Sequence, residues 1–348
     1  MMENEMIALR KTSAGFGIAL TEAPPAPAPR PGEVTLAVEA VGICGSDVHA
    51  YEWTDGYAFM VPYLPVTMGH EIAAKIVRVG PDASLAEGTR VTLLGGITCG
   101  RCAACRADNP AGCTDRRMLG WTRDGGFAKH LTVPARVCLP LPQNIPPAIG
   151  ALAEPLGVSC EAVLTGGVGL GDTVLVLGPG TIGQGMALIA RAAGAARVLV
   201  AGHGDVPRFQ VLKGMGFTDL IDVADAPLSD QVFKATSGAK VDVVLEATGH
   251  PASITESLKV LRRRGGVVVG GIHSMPLNLS LTDFVRQGHQ LRASYGATRS
   301  TWNKVLSLLA SNPESFRPMI SHELTLDRGL QGFELARQRA ASKVILMP

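Results

Sequence analysis

The chain lacks a charge excess of either sign. Its 348 residues carry 32 Lys and Arg against 30 Asp and Glu, a formal net charge of +2. So close a balance gives no electrostatic footprint for nucleic acid or for an anionic membrane, and neither partner is expected. Nor is a secretory leader expected. Met1 to Arg10 carries acids and no apolar run of signal-peptide length, so the cytoplasm is expected. Nor is there a clean membrane span. Thr173 to Ala190 is uncharged, but it is interrupted by Gly178-Pro179-Gly180 and flanked by Asp172 and Arg191, which suits a buried strand, turn and helix. No internal repeat is evident. The seven cysteines are an odd number, and four crowd between positions 99 and 113, which points to metal rather than to disulfides.

What is present suits a soluble globular chain of two domains: 46% apolar residues and a length too great for one ordinary core. Residues 33–43 alternate apolar and polar side chains, and short strands are predicted at 71–79, 89–94 and 126–133, so the first domain reads as β-rich and barrel-like. A short helix over 46–53 would be capped by Ser46 or Asp47. Residues 147–164 read as one helix containing an unusual Glu154-Pro155. From residue 173 onward strands at 173–177, 197–201, 241–246, 266–270 and 290–294 alternate with helices at 181–193, 206–215, 251–263 and 281–287. That rhythm predicts a parallel sheet covered on both faces. The last thirty or so residues hold two strand-like runs around a helix at 326–337 and are expected to return to the first domain. The domains are thus expected at 1–153, with a cysteine lobe over 95–115, at 154–295, and at 296–348 for the return.

Three patterns carry chemistry. Gly178-Pro179-Gly180-Thr181-Ile182-Gly183 follows an apolar strand and opens a helix, the context in which G-x-G-x-x-G cradles a dinucleotide pyrophosphate. NAD-binding versions place an acid at the end of the next strand, to bond the ribose hydroxyls. Here Gly202 stands there, with His203 and Arg208 nearby to meet a 2′-phosphate. NADP is therefore favoured over NAD, unless Asp205 turns in. The second pattern is Cys99-x2-Cys102-x2-Cys105-x7-Cys113, four thiolates suited to a closed tetrahedral zinc whose binding would fold a loop too polar to fold by burial. A zinc-ribbon contact with nucleic acid is poorly supported, because Arg101, Arg106, Arg116 and Arg117 have no interleaved aromatics. The third pattern is Gly42-Ile43-Cys44-Gly45-Ser46-Asp47-Val48-His49 with Gly69-His70-Glu71. Cys44 and His70 are candidate ligands of an open, catalytic zinc, with Glu71 or Glu154 as the third and Asp47 orienting His70 through its other ring nitrogen. Cys138 and Cys160 read as core. Tyr51, Trp53, Tyr57, Phe59, Met60 and Trp121 either line a substrate pocket or pack in the core.

In this order, these motifs resemble the zinc-containing medium-chain dehydrogenases over essentially the whole chain, closest to the sorbitol (polyol), threonine and butanediol dehydrogenase branch. The resemblance implies a GroES-like β-barrel catalytic domain built from both chain ends, a central Rossmann domain, a cleft between them, two zinc ions per chain, and a homodimer or homotetramer. It implies that Ser46 takes the substrate proton and His49 passes it to solvent. It also places Glu71 and Glu154 at or beside the metal, and Thr248, Gly249 and Ile272 along the cofactor. The expected reaction interconverts a secondary alcohol (a polyol, sugar or cyclitol) and its ketone by hydride transfer to NAD(P). Threonine or a short diol such as butanediol is the alternative. Tyr295-Gly296 is similar to threonine dehydrogenases, but the arginine that follows directly there is displaced here to Arg299. Readings of other kinds are a zinc-free reductase of enones or quinones and a non-catalytic NADP-binding sensor.

Overall fold

The computed structural model describes residues 6–107 and 112–348. The acidic start of the chain and the middle of the cysteine lobe, residues 108–111, lie outside the described residues. The chain divides into two compact units. One holds residues 1–154, 308–313 and 320–348, and the other holds 155–307 and 314–319.

The first unit is built on the long strand Glu33–Gly42, whose alternation buries Val34, Leu36, Val38 and Ala40 on one side. It pairs antiparallel with Glu71–Val79 and with His130–Pro134. Arg90–Leu93 and Cys138–Pro140 extend the sheet beyond Glu71–Val79. On the other side it receives Lys343–Met347, which lies parallel to Ile320–Thr325. The two ends of the chain thus share one sheet. A smaller sheet joins Met6–Lys11 to Ala19–Ala23 and Val66–Thr67. The core between and beneath them includes Leu9, Met60, Met68, Ile72, Phe127 and Phe333.

The second unit is a six-stranded sheet, every strand parallel to its neighbour, in the order 220–222, 197–202, 173–177, 241–246, 261–269, 290–293. Chain order runs outward in one direction from Thr173–Leu177 and then reverses to start again at Val241–Glu246. The crevice at the carboxyl ends of those two strands is therefore the topological switch point.

The expected helix over 147–164 is two helices, Pro147–Ala151 and Ala153–Gly166, broken at Leu152. A proline cannot donate an i→i−4 hydrogen bond, so Pro155 sits where none is required, in the first turn of the second helix. The helix expected over 251–263 ends at Val260, and Leu261 already begins a strand. The return to the first unit comes at residue 308 rather than 296. Residues 296–307 stay with the second unit, where Thr298 N and Thr301 Oγ1 both donate to Glu161 at 3.1 and 2.5 Å. Helices at Leu228–Ala235 and Arg299–Ser311 and the strand Leu220–Asp222 had no clear signal in the sequence. Among the described residues no helix is long and apolar enough to cross a membrane.

Candidate functional site

Cys44 occupies the N-cap of the helix Gly45–Glu52, which therefore starts two residues earlier than a Ser46 cap would give. Its backbone N–H donates to Asp47 Oδ2 at 3.0 Å, which fixes that carboxylate beneath the first turn. The other oxygen, Oδ1, lies 3.5 Å from His70 Nδ1, and both atoms are buried with no closer partner. Asp47 therefore faces Nδ1 and leaves Nε2 for the open side of the site, where Ser46 Oγ stands 3.4 Å away. Burial pushes the Asp47 carboxyl up. For His70, burial alone would lower the pKa, but Asp47, Cys44 and Glu154 outweigh it and hold the pKa well above its ordinary value. A pocket whose anions overpower desolvation in this way suits a cation.

The two candidate carboxylates differ sharply. Glu71 is fully buried, and Lys343 Nζ donates to both of its oxygens, at 2.8 and 2.7 Å, and to the Ile43 carbonyl at 2.9 Å. A Cβ at position 42 would sit 1.9 Å from Glu71 Oε2, so Gly42 is what admits this carboxylate. Glu154 lies in the first turn of its helix, beside His70, and burial raises its carboxyl to about 7. Of the two acids expected at or beside the metal, Glu71 has both oxygens on the Lys343 ammonium. The thiol, imidazole and carboxyl of Cys44, His70 and Glu154 fit the donor set of an open zinc. They are not closed around a point. Among the described residues, only Cys99, Cys102, Cys105 and Cys113 bring three or more such donors within 4.8 Å of one another.

Those four sulfurs make the tighter site. Cys99 N donates to Cys113 Sγ at 3.2 Å, Cys102 N to Cys99 Sγ at 3.4 Å, and Cys105 N to Cys102 Sγ at 3.4 Å. Backbone N–H groups aimed at sulfur favour thiolates, and those from Cys105 and Thr114 bring the Cys102 thiol down to about 6. The lobe is closed at its base by the two-residue strands Gly96–Ile97 and Arg117–Met118.

The aromatic residues divide. Tyr51 and Met60 are core: the Tyr51 ring packs 5.5 Å from Phe333, and its hydroxyl donates to Glu334 Oε1 at 2.7 Å. Trp53 lies under Lys11, whose Nζ is 4.9 Å from the ring centroid. Tyr57, Phe59 and Trp121 instead form one group beside the imidazole. Trp121 lies edge-on to His70 at 5.4 Å, and Tyr57 and Phe59 are 6.1 and 5.9 Å from Trp121. His49 is exposed, 6.4 Å from Tyr57.

In the second unit, Gly178 has φ 101° at the end of its strand, and Gly180 caps the helix Thr181–Ala192. A Cβ on Gly183 would come within 1.8 Å of the Gly178 carbonyl oxygen, so the third glycine is a packing requirement. Arg208 reaches back from its own helix toward this turn, its Nη1 4.0 Å from where a Gly180 Cβ would be. Asp205 accepts from Arg208 Nη1 at 3.2 Å and from His203 N at 3.3 Å, so its carboxylate is occupied. Gly202 is buried, and a side chain there would strike Pro179 and Phe209 at 2.7 and 3.0 Å. The residue that sequence reasoning missed is Glu246. It is fully buried at the end of its strand, beside Thr248 and Gly249. Its signal was available, as an acid closing the apolar run Val243-Val244-Leu245.

Two profiles match the chain, the alcohol dehydrogenase GroES-like domain over residues 30–143 and the zinc-binding dehydrogenase domain over 181–311. The chain is 33% identical to L-threonine 3-dehydrogenase of Pyrococcus horikoshii, over 99% of both chains. The fold matches 2R,3R-butanediol dehydrogenase of Bacillus subtilis with a TM-score of 0.87 at 25% identity, covering 99% of both chains. It also matches a chain from Sinorhizobium meliloti 1021, described as a zinc-binding dehydrogenase and bound to NADP. There the TM-score is 0.88 at 28% identity, over 99% of this chain and 100% of that one. The fold class and family expected from the motif order are both borne out. With a GroES-like unit, a dinucleotide-binding parallel sheet and whole-length relatives of this kind, the chain belongs to the zinc-containing medium-chain dehydrogenases of the alcohol dehydrogenase type.

Proposed function

We propose that the protein interconverts a small secondary alcohol and its ketone, with NADP as the hydride carrier and two zinc ions per chain. The observation that carries the reading is the sorting of the two carboxylates. Lys343 takes Glu71, and Glu154 is left beside His70 with no ammonium on its carboxyl among the described hydrogen bonds and ion pairs. Cys44, His70 and Glu154 would hold the catalytic zinc, and Cys99, Cys102, Cys105 and Cys113 the structural one. When bound, the catalytic ion acts as a Lewis acid on the alcohol oxygen. Asp47 keeps His70 in the tautomer that presents Nε2. Ser46, 3.4 Å from that atom, accepts the alcohol proton, and the exposed His49 hands it to water. Gly178, Gly180, Thr181, Ile182 and Gly183 receive the pyrophosphate. His203 and Arg208 receive the 2′-phosphate that Gly202 leaves room for, and Thr248, Gly249 and Ile272 line the rest of the cofactor.

Tyr57, Phe59 and Trp121 supply an apolar wall beside His70, which suits the carbon face of a polyol, sugar or cyclitol. A second reading, L-threonine, is supported by the whole-length similarity to threonine dehydrogenases. A panel of polyols, diols and L-threonine, each offered with NAD and with NADP, separates them. The proposal expects the highest kcat/KM on a polyol or cyclitol with NADP. Turnover confined to L-threonine would replace it by the second reading. No turnover of any alcohol, with a cofactor still bound, would leave a binding protein. Zinc analysis is expected to give about two ions per chain, whereas a zinc-free reductase would hold none. The exposed edge strand Gln290–Ala293 and the exposed Leu281 and Val285 beside it in sequence suit a self-associating dimer.

A further inference from the structure

Glu246 closes the strand Val241–Glu246, the neighbour of Thr173–Leu177 across the switch point of the parallel sheet. A Cβ on Gly178 would meet Ala247 backbone at 3.1 Å and Thr248 Cγ2 at 3.2 Å, so the loop after Glu246 touches the turn assigned to the pyrophosphate. The carboxylate has no solvent exposure and no lysine or arginine partner among the described hydrogen bonds and ion pairs. It is held instead by donors from two loops. Oε1 accepts from Thr248 N at 2.6 Å, Thr248 Oγ1 at 2.5 Å, Gly249 N at 2.8 Å and Ser253 Oγ at 3.5 Å. Oε2 accepts from Gly271 N at 3.3 Å and lies 3.0 Å from His273 Nε2. One oxygen thus gathers the loop after residue 246, and the other gathers the loop after residue 269.

An anion this deep and this heavily hydrogen-bonded is an organising centre rather than a chance burial. It draws N–H groups of both loops inward at the place where ligands bind open parallel sheets. It also fixes the histidine. In the tautomer whose Nε2–H donates to the carboxylate, Nδ1 is an acceptor. We propose that Glu246 is a positioning residue for the dinucleotide, and that His273, oriented by it, offers Nδ1 to a hydroxyl or amide donor of the bound cofactor. This rests on the dinucleotide reading above and extends it to a pair that the glycine motif does not include.

The test uses the full-length, zinc-loaded enzyme and four forms: wild type, Glu246→Gln, His273→Ala and the double variant. For each, NADP and NAD dissociation constants are read by titration, KM and kcat by steady-state kinetics, and melting without cofactor. The expected result is a rise of about tenfold in cofactor Kd and KM in each single variant (about 1.4 kcal/mol at tenfold). The double variant should be no weaker than the singles, because His273 acts through Glu246. Glu246→Asp should not rescue binding, since the shorter side chain cannot reach both loops. Unchanged cofactor Kd in folded single variants would overturn the proposal, as would losses that simply add in the double variant. A lower melting temperature with unchanged cofactor Kd would show a structural role only. If wild type itself binds neither NAD nor NADP, the dinucleotide reading fails, and this inference falls with it.

Discussion

Lys343 is the most exposing residue to perturb. It sits on the last strand of the chain, 3% exposed, with its ammonium on both oxygens of a carboxylate that is 0% exposed. Replacing it by Met keeps the volume and removes the charge, so Glu71 is left buried without its cation and the Ile43 carbonyl loses the donor that Lys343 also supplied. Removing one member of a buried ion pair costs about 3–5 kcal/mol. For a folding unit of this size that is a fall in melting temperature of roughly 6–20 °C, at about 2–4 °C per kcal/mol. The informative comparison is the double variant Glu71→Gln/Lys343→Met. Without either charge there is nothing to strand, so the double variant should melt above Lys343→Met by at least half of the loss. Calorimetry of wild type, both single variants and the double variant gives the coupling directly. Losses that add, with the double variant the least stable, would refute the argument that Lys343 exists to neutralise Glu71. Zinc content in the same series tests the companion point. Glu71→Gln should keep both ions, whereas Glu154→Gln should lose one.

Three further outcomes follow from local geometry. Cys102→Ser removes a sulfur from a lobe that is otherwise a polar loop, so zinc per chain should fall by about one and the melting temperature should drop; unchanged zinc content would count against a structural ion. Lys11 is buried, with its ammonium on the carbonyls of Gly15, Gly17 and Tyr51, and burial lowers its pKa from 10.5 to about 8. The folded chain therefore gives up this proton before the unfolded chain does, and stability gains a rising component between about pH 8 and 10.5. That component should be missing from Lys11→Met in parallel denaturant titrations, and matching pH profiles would remove Lys11 as its source. Finally, Gly202→Asp is not a clean cofactor switch, because its Cβ collides with Pro179 and Phe209. It should weaken binding of NAD and NADP alike and lower stability, and a well-folded variant that gains NAD efficiency would show that the turn yields.

The second unit was the more legible in sequence, and the reason is local. Strands at 173–177 and 241–246 are short apolar runs with glycine or charge at both ends, and their structural bounds match. The missed elements were those whose period is diluted. Leu228–Ala235 buries only Leu228 and Val232, and Leu220–Asp222 is three residues long. The helix over 251–263 was overextended because Leu261-Arg-Arg-Arg continues a helical pattern. The strand wins there because Leu261 pairs with Val241 and is fully buried. Propensity lost to a tertiary contact that the window could not contain.

The site shows the same limit at a longer range. Cys44, Asp47 and His70 announce themselves by residue type and spacing, and the structure brings all three together through a cap hydrogen bond and one imidazole. The choice between Glu71 and Glu154 could not be read in that way. Both are acids beside helix or strand ends, and Glu71, adjacent to His70, is the nearer by sequence. What separates them is an ammonium 272 residues away from Glu71, delivered by the antiparallel pairing of Ile345 with Gly42 at the far end of the chain. A carboxylate gripped through both oxygens by a buried cation has spent its lone pairs, and it cannot also serve a metal without stranding that cation. The pairing of chain ends in this sheet is therefore also what brings Lys343 to Glu71. A variant that loosens the Lys343–Met347 strand should disturb the metal site before it disturbs the dinucleotide-binding sheet.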